Sequence, residues 1–174
     1  MTEERIGQRL LTPYRVLDLT DEKGFLCGKI LADMGADVIK IERPGGDPGR
    51  RLGPYYHDQP EAEKSLYWAA YNTNKRGITL DIETTTGRAL FKRLAEGADI
   101  VIESFEPGYL DRLGLGYPEL EKLNGGLILV SITPFGQTGP YVDDGYGSCD
   151  LVRWAIGRFL FPNGVPDRAP NQLT

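Results

Sequence analysis

The sequence predicts an α/β protein built on a Rossmann-like, doubly wound, mostly parallel sheet. Three observations predict it. Short apolar runs alternate with helix-periodic segments along the chain, the pattern of a sheet covered by helices on both faces. One junction occurs twice, as GADVIKIE (35–42) and GADIVIES (97–104). In both, Gly ends a helix and Asp opens a strand. Finally, the stretches richest in Gly and Pro follow the strands, which marks one edge of the sheet as the loop-bearing edge.

Taken in order, YRVLDLT (14–20) is a β-rich run that ends in polar residues. FLCGKILADMGAD (25–37) is helical, with Phe25, Leu26, Ile30, Leu31 and Met34 at helical spacing and Gly35 as its stop. DVIKIE (37–42) is the next strand, so the three form a βαβ unit with a right-handed crossover. The pattern returns with the strand GITLDI (77–82), a Thr-capped helix over 84–99 carrying Ala89, Leu90, Phe91 and Leu94, and the strand DIVIES (99–104). Two short helices follow, over 108–114 and 117–124. GLILVSIT (126–133) reads as a buried strand from its unbroken apolar run. DLVRWAIGRFLF (150–161) reads as a helix with Leu151, Trp154, Ala155 and Phe159 on one face.

Composition narrows the function. The chain has 174 residues, enough for one domain, with 26% charged and 40% hydrophobic residues and a net charge of −5. That charge gives no support to a nucleic-acid or anionic-membrane role. Two cysteines, Cys27 and Cys149, are too few for a disulfide scaffold, and a cytoplasmic setting is expected. The first residues, MTEERIGQRL, lack the apolar core of a secretory signal. No run approaches the ~18 apolar residues of a membrane helix. The Pro-rich, polar end, FPNGVPDRAPNQLT, reads as a tail or as a chain cut in mid-protein, with 162–174 the linker or truncation point.

Ligands of doubly wound sheets bind beyond the carboxyl ends of the strands. That singles out TDEKG (20–24), ERPGGDPGRR (42–51), ESFEPG (103–108) and TPFGQTGPYVDDGYGSCD (133–150). No G-x-G-x-x-G follows the first strand, and neither a P-loop nor H-E-x-x-H nor C-x-x-C is present. The one histidine, His57, reads as a solvated loop residue and not as a ligand or base. No metal is expected. Arg43, Arg50, Arg51, Lys75, Arg76 and Arg112 gather at segment ends, where they either bind a phosphate-bearing ligand or are ordinary surface charges. Asp150 stands where an Asp caps a helix well, without any catalysis.

The ordered set RVLDLT, ILADMGADVIKIERPGGDPGR, NTNKRGITLDI, GADIVIESFEPGYLDRLGLGYPEL and LILVSITPFGQTGPY resembles the N-terminal portion of the family III CoA-transferases, from about Tyr14 to Asn163. This group includes formyl-CoA transferase, carnitine CoA-transferases and α-methylacyl-CoA racemases. The resemblance implies that residues 1–174 are the CoA-binding α/β portion of a longer chain that acts as a homodimer. It implies an enzyme that moves CoA from an acyl-CoA to a carboxylic acid through an aspartyl-CoA thioester. It points to Asp150 as the nucleophile, and Asp143 and Asp144 then read as turn residues.

For the CoA substrate, the resemblance implies Lys23 and Gly24 in the first loop and Arg43 at the phosphates. It places Tyr71, Asn72, Thr73 and Asn74 along the nucleotide. It adds Ser104, Phe105 and Glu106 after the fourth strand, Arg112, and Thr133, Phe135 and Gly136 after the fifth. Three positions depart from the formyl-CoA transferases, which carry Asn at Ser104, Lys at Thr133 and often Gln at Lys23. Acyl specificity therefore stays open. The racemase branch is one alternative, although its His before the helix-start Asp is Cys149 here. A catalytically incomplete CoA-binding fragment or subunit is the other.

Overall fold

The computed structural model describes residues 9–145 and 147–160. They fall into two compact units, one ending at Thr133 and one starting at Pro134. The expected linker at 162–174 lies outside the described residues.

The first unit is built on five strands: β1 (Arg15–Leu19), β2 (Asp37–Glu42), β3 (Arg76–Thr79), β4 (Ile100–Glu103) and β5 (Ile128–Ser131). Their spatial order is β3-β2-β1-β4-β5 and every pairing is parallel. The chain reverses its direction across the sheet between β3 and β4, so β1 and β4 flank the switch point. Period-2 alternation sorts the strand residues. Leu17, Leu19, Ile39, Ile41 and Val101 join one apolar cluster, whereas Val16, Val38 and Ile102 join the other. Helix α1 (Phe25–Asp33) contributes Ala32 to the second cluster. Of the later elements, α3 (Thr85–Ala95), α4 (Tyr109–Arg112) and α5 (Tyr117–Leu123) contribute Phe91, Ala95, Leu110 and Leu120 to the first. Both faces are therefore covered, as a parallel sheet requires.

The repeated Gly-Ala-Asp junction has a physical basis in the central strand. Asp37 N–H donates to the Tyr14 carbonyl and Asp99 N–H to that of Arg15. Both side chains also bind Arg15: Asp37 accepts its Nε at 3.0 Å and Asp99 its backbone N–H at 2.7 Å. Each Asp sets the entry of its strand beside β1.

Three readings change. Helix α2 (Leu66–Asn72) was not expected; the Ser65 hydroxyl caps it by accepting Trp68 N–H at 3.0 Å. Strand β5 is not buried: Ile128 is 57% exposed and the rest of the strand is half-buried. It stands at a sheet edge, paired only with β4 among the described residues, so an unbroken apolar run here reflects packing on one side. In α1 the inner face is Phe25, Gly28 and Ala32, while Leu26 and Ile30 are exposed. At Gly28 the helix meets the ionic side chains of Asp18 and Lys75, where a Cβ would not fit, and at Ala32 it packs in the apolar cluster of Val16 and Val38.

The second unit contains α6 (Pro140–Asp143) and α7 (Asp150–Ile156). Helix α7 is shorter than the expected 150–161. Phe135 packs on Tyr141 and Trp154 on Phe159, with ring centroids 5.4 and 6.0 Å apart. None of its described residues is buried. No helix among the described residues is long and apolar enough to cross a membrane.

Candidate functional site

At the carboxyl ends of the strands, the first unit opens a cleft of about 490 Å³, within the range of small-molecule pockets. Leu19 and Asp21 follow from β1, and Ile41, Arg43 and Asp47 from β2. Leu80, Asp81, Ile82 and Glu83 come after β3, and Phe105 and Tyr109 after β4. Four loops thus meet around one space.

Each loop is tied down by a carboxylate close to its strand end. Asp18 Oδ1 accepts the Thr20 amide at 2.9 Å, and Glu103 Oε2 accepts the Phe105 amide at 2.7 Å. Glu42 Oε2 accepts the Asp47 amide at 3.0 Å. Asp81 Oδ1 accepts the Glu83 amide at 3.0 Å, just before the Thr84 hydroxyl caps α3 by accepting Gly87 N–H at 3.0 Å. Across the switch point, Asp21 N–H donates to Ser104 Oγ at 2.8 Å, and Ser104 Oγ–H donates to Asp21 Oδ1 at 2.7 Å. The β1 and β4 loops are therefore joined side chain to backbone.

These environments set the titration of two carboxyls in opposite directions. Burial raises the Glu42 pKa, but hydrogen bonds from Arg50 and the Asp47 amide, with the charges of Arg50 and Lys40, outweigh it and lower the pKa below its ordinary value. For Glu103, burial dominates and pushes the carboxyl up against the lowering effects of Ser131, the Phe105 amide and Lys23. On the cleft wall, desolvation and the hydrogen bond to Glu83 (2.8 Å) push the Tyr109 phenol up to about 12. It is therefore a donor throughout the neutral range. Its ring stacks on Phe105 at 4.6 Å, and Arg112 lies 5.7 Å from its centroid.

The sequence-selected residues distribute unevenly. Arg43 and Phe105 line the cleft. Arg43 is exposed and makes no ion pair among the described residues, so its guanidinium is available to an anion. Lys23 pairs with Asp21 at 3.0 Å. Gly24 is buried, and a Cβ there would sit 2.5 Å from the Thr20 methyl, so the loop packs too closely for a side chain at this position. Ser104 is buried and holds Asp21, Glu106 is exposed, and Arg112 stands over the Tyr109 ring without lining the cleft. Tyr71 and Asn72 end α2, and Thr73 and Asn74 lead into β3; none of the four lines the cleft.

The residues that line the cleft from this part of the chain are Leu80 to Glu83, after β3. Sequence reasoning missed them, although the rule that selected the other loops selects this one too. Tyr109 was missed as well. Of the cations gathered at segment ends, Arg50 is taken by Glu42 at 2.6 and 2.8 Å, Arg76 by Asp37 at 2.7 Å, and Lys75 is an interior residue with a side chain 1% exposed. They are structural. Only Arg43, Arg51 and Arg112 remain outside ion pairs among the described residues.

Thr133 ends the first unit with a buried hydroxyl that has no hydrogen-bond partner there. In the second unit Phe135 packs on Tyr141, and Gly136 adopts φ 86°, a left-handed conformation that favours glycine. Asp150 is the first residue of α7; its side chain is 63% exposed and pairs with Arg153 one turn on. His57 is exposed. Among the described residues no group of His, Cys, Asp and Glu could hold a metal ion.

The sequence model of CoA-transferase family III matches residues 11–174. The chain is 46% identical over 162 residues to succinyl-CoA:(R)-benzylsuccinate CoA-transferase subunit BbsE of Thauera aromatica, covering 91% of this chain and 39% of that protein. It is 44% identical over 168 residues to succinyl-CoA--D-citramalate CoA-transferase of Chloroflexus aurantiacus, covering 95% of this chain and 40% of that one. A CAIB/BAIF family protein from Brucella suis matches it in structure with a TM-score of 0.80 at 39% identity, over 92% of this chain and 42% of the other. The chain spans about two fifths of the length of these relatives.

Proposed function

This chain belongs to CoA-transferase family III, and on that premise we propose that it supplies the CoA-holding part of an acyl-CoA:carboxylate CoA-transferase that works as a homodimer. One observation carries the reading. The four-loop cleft presents Arg43, a cation with no ion pair among the described residues, beside a stacked aromatic wall of Phe105 and Tyr109. A guanidinium suits a phosphate, and an aromatic wall suits a base. The carboxylates of Asp81 and Glu83 on the same rim suit ribose hydroxyls and an exocyclic amine, all donors.

The chemistry proposed for the whole enzyme is nucleophilic catalysis by a carboxylate. A carboxylate oxygen attacks the thioester carbonyl carbon, the C–S bond breaks, and CoA leaves as thiolate from a mixed anhydride. The thiolate then attacks the enzyme's own carbonyl, releasing the donor acid and leaving an enzyme-CoA thioester. The acceptor carboxylate repeats the sequence in reverse. Asp150 is the carboxylate the sequence nominates. Its surroundings in α7 are those of an exposed helix-start residue, so the proposal rests on the cleft and leaves the nucleophile to experiment.

The test is to incubate the protein with short acyl-CoAs, trap with hydroxylamine or borohydride, and map modified peptides by mass spectrometry. A modified aspartate, lost when that residue becomes Ala, supports transfer chemistry; modification at Asp150 assigns the nucleophile there. Exchange of the α-proton of an acyl-CoA with solvent, without any enzyme adduct, would overturn the transferase reading.

A further inference from the structure

We propose that Lys40 and Lys75 are positioning residues that clamp the first loop, Asp21 to Gly24, from both ends and so set the cleft's β1 wall. The inference rests on reading that cleft as the CoA site.

The two ammonium groups bind the two carbonyls that bracket the loop. Lys40 Nζ donates to the Thr20 carbonyl, the last before the loop. Lys75 Nζ donates to the Phe25 carbonyl, the first after it, at 3.0 Å. Both lysine side chains are sealed from solvent, 2% and 1% exposed. Lys75 uses all three of its donors, adding Asp18 at 2.8 Å and Asn72 Oδ1 at 3.0 Å. Lys40 is neutralised by Asp47 at 3.2 Å. The Phe25 ring lies close to both cations, with its centroid 5.2 Å from one and 5.6 Å from the other. Gly28 leaves room for the pair: a Cβ there would meet Asp18 Oδ2 at 2.3 Å and Lys75 Nζ at 3.0 Å.

The position of this cluster argues for a role beyond stability. Asp18 and Lys40 continue the face that carries Val16 and Val38. Nearer the amino ends that face is apolar, and towards the carboxyl ends it is ionic. A buried ion pair is seldom more stabilising than well-packed apolar residues of the same volume, but it fixes where backbone carbonyls sit. The clamped loop holds Asp21, which lines the cleft and reaches across to Ser104. The path from Lys75 to the cleft therefore runs through Phe25 and the loop to Asp21 and Ser104, with no contact between Lys75 and the cleft itself.

The test compares the chain with Lys75→Met and with the double variant Asp18→Asn/Lys75→Met, which removes both charges and keeps an acceptor for Thr20. Three readouts are taken: melting temperature, hydrogen exchange of residues 20–25 without ligand, and the Kd of CoA. The single variant is expected to melt well below the parent. The double variant is expected to recover much of that loss, yet to exchange faster at 20–25 and to bind CoA about tenfold more weakly. Recovery of exchange and affinity together with stability would overturn the proposal. So would a double variant that does not fold, because the pair would then serve the core and not the loop. Absence of CoA binding in the parent chain would count against the cleft reading alone, and the exchange data would still decide the clamp.

Discussion

The two units treat their charged residues in opposite ways. In the first, Asp18, Lys40, Glu42, Asp47 and Glu103 are buried, and each holds a loop end or a partner charge. In the second, Asp143, Asp144, Asp150 and Arg153 are all exposed, and the Asp150–Arg153 pair is a helix-surface contact. A buried charge with fixed partners defines the position of its neighbours, because any displacement leaves it unpaired in a low-dielectric interior. An exposed pair defines little. The comparison teaches that residues 9–133 hold their cleft loops with buried, paired charges, whereas among the described residues Asp150 is held only by an exposed contact with Arg153.

The sharpest way to break this contrast is to remove one buried partner. Lys75→Met strips Asp18 of its nearer cation and leaves only Lys40, at 3.9 Å, and is expected to cost about 3 kcal/mol, read by urea or thermal unfolding. A loss under about 1 kcal/mol would mean that the interior is wetter than the 1% and 0% exposures of the pair imply. Next in size is the difference between the two strand-end glutamates. Glu42→Gln weakens a two-bond contact with Arg50 and should cost about 2 kcal/mol at neutral pH, while Glu103→Gln should cost less, since burial already disfavours that charge.

The acid branch of stability carries the same signature with opposite signs. Glu42 has a lowered folded pKa, so its contribution is complete above the ordinary value of 4.5 and is lost as pH falls through the lowered one. Glu103 has a raised folded pKa, so its burial penalty is relieved as pH falls through that value towards 4.5. Melting temperatures of the parent and the two Gln variants between pH 7 and pH 3 check both directions. The smallest effect is expected in the second unit, where Asp150→Asn should change stability by no more than about 0.5 kcal/mol. A larger loss would show that the exposed pair is part of a structured site.

Much of the fold was legible because its signals are local. Gly35 and the Asp37 strand entry mark one helix-to-strand change, and Gly97 with Asp99 marks the next. The edge of the sheet that carries the cleft was legible too, from where Gly and Pro cluster. The interior lysines were not. Lys40 stands in DVIKIE and Lys75 in NTNKRG, and neither local pattern reveals that the partners are Asp18, Asp47 and two carbonyls distant in the chain. Lys75 therefore reads as a surface cation until the chain is folded. The exposed Leu26 and Ile30 misled for the same reason: the buried face of α1 is set by what lies beneath it, Asp18 and Lys75 at Gly28 and the apolar Val16 and Val38 at Ala32. Leu80 to Glu83 were missed through placement alone, one segment too early in the chain.

The most direct test of the account is a calorimetric titration of CoA into the parent chain, Arg43→Ala and Asp150→Asn. The account predicts saturable binding by the parent, a loss of about tenfold or more for Arg43→Ala, and unchanged affinity for Asp150→Asn. Full affinity in Arg43→Ala together with lost binding in Asp150→Asn would contradict it, and would move the CoA site out of the cleft at the carboxyl ends of β1 to β4.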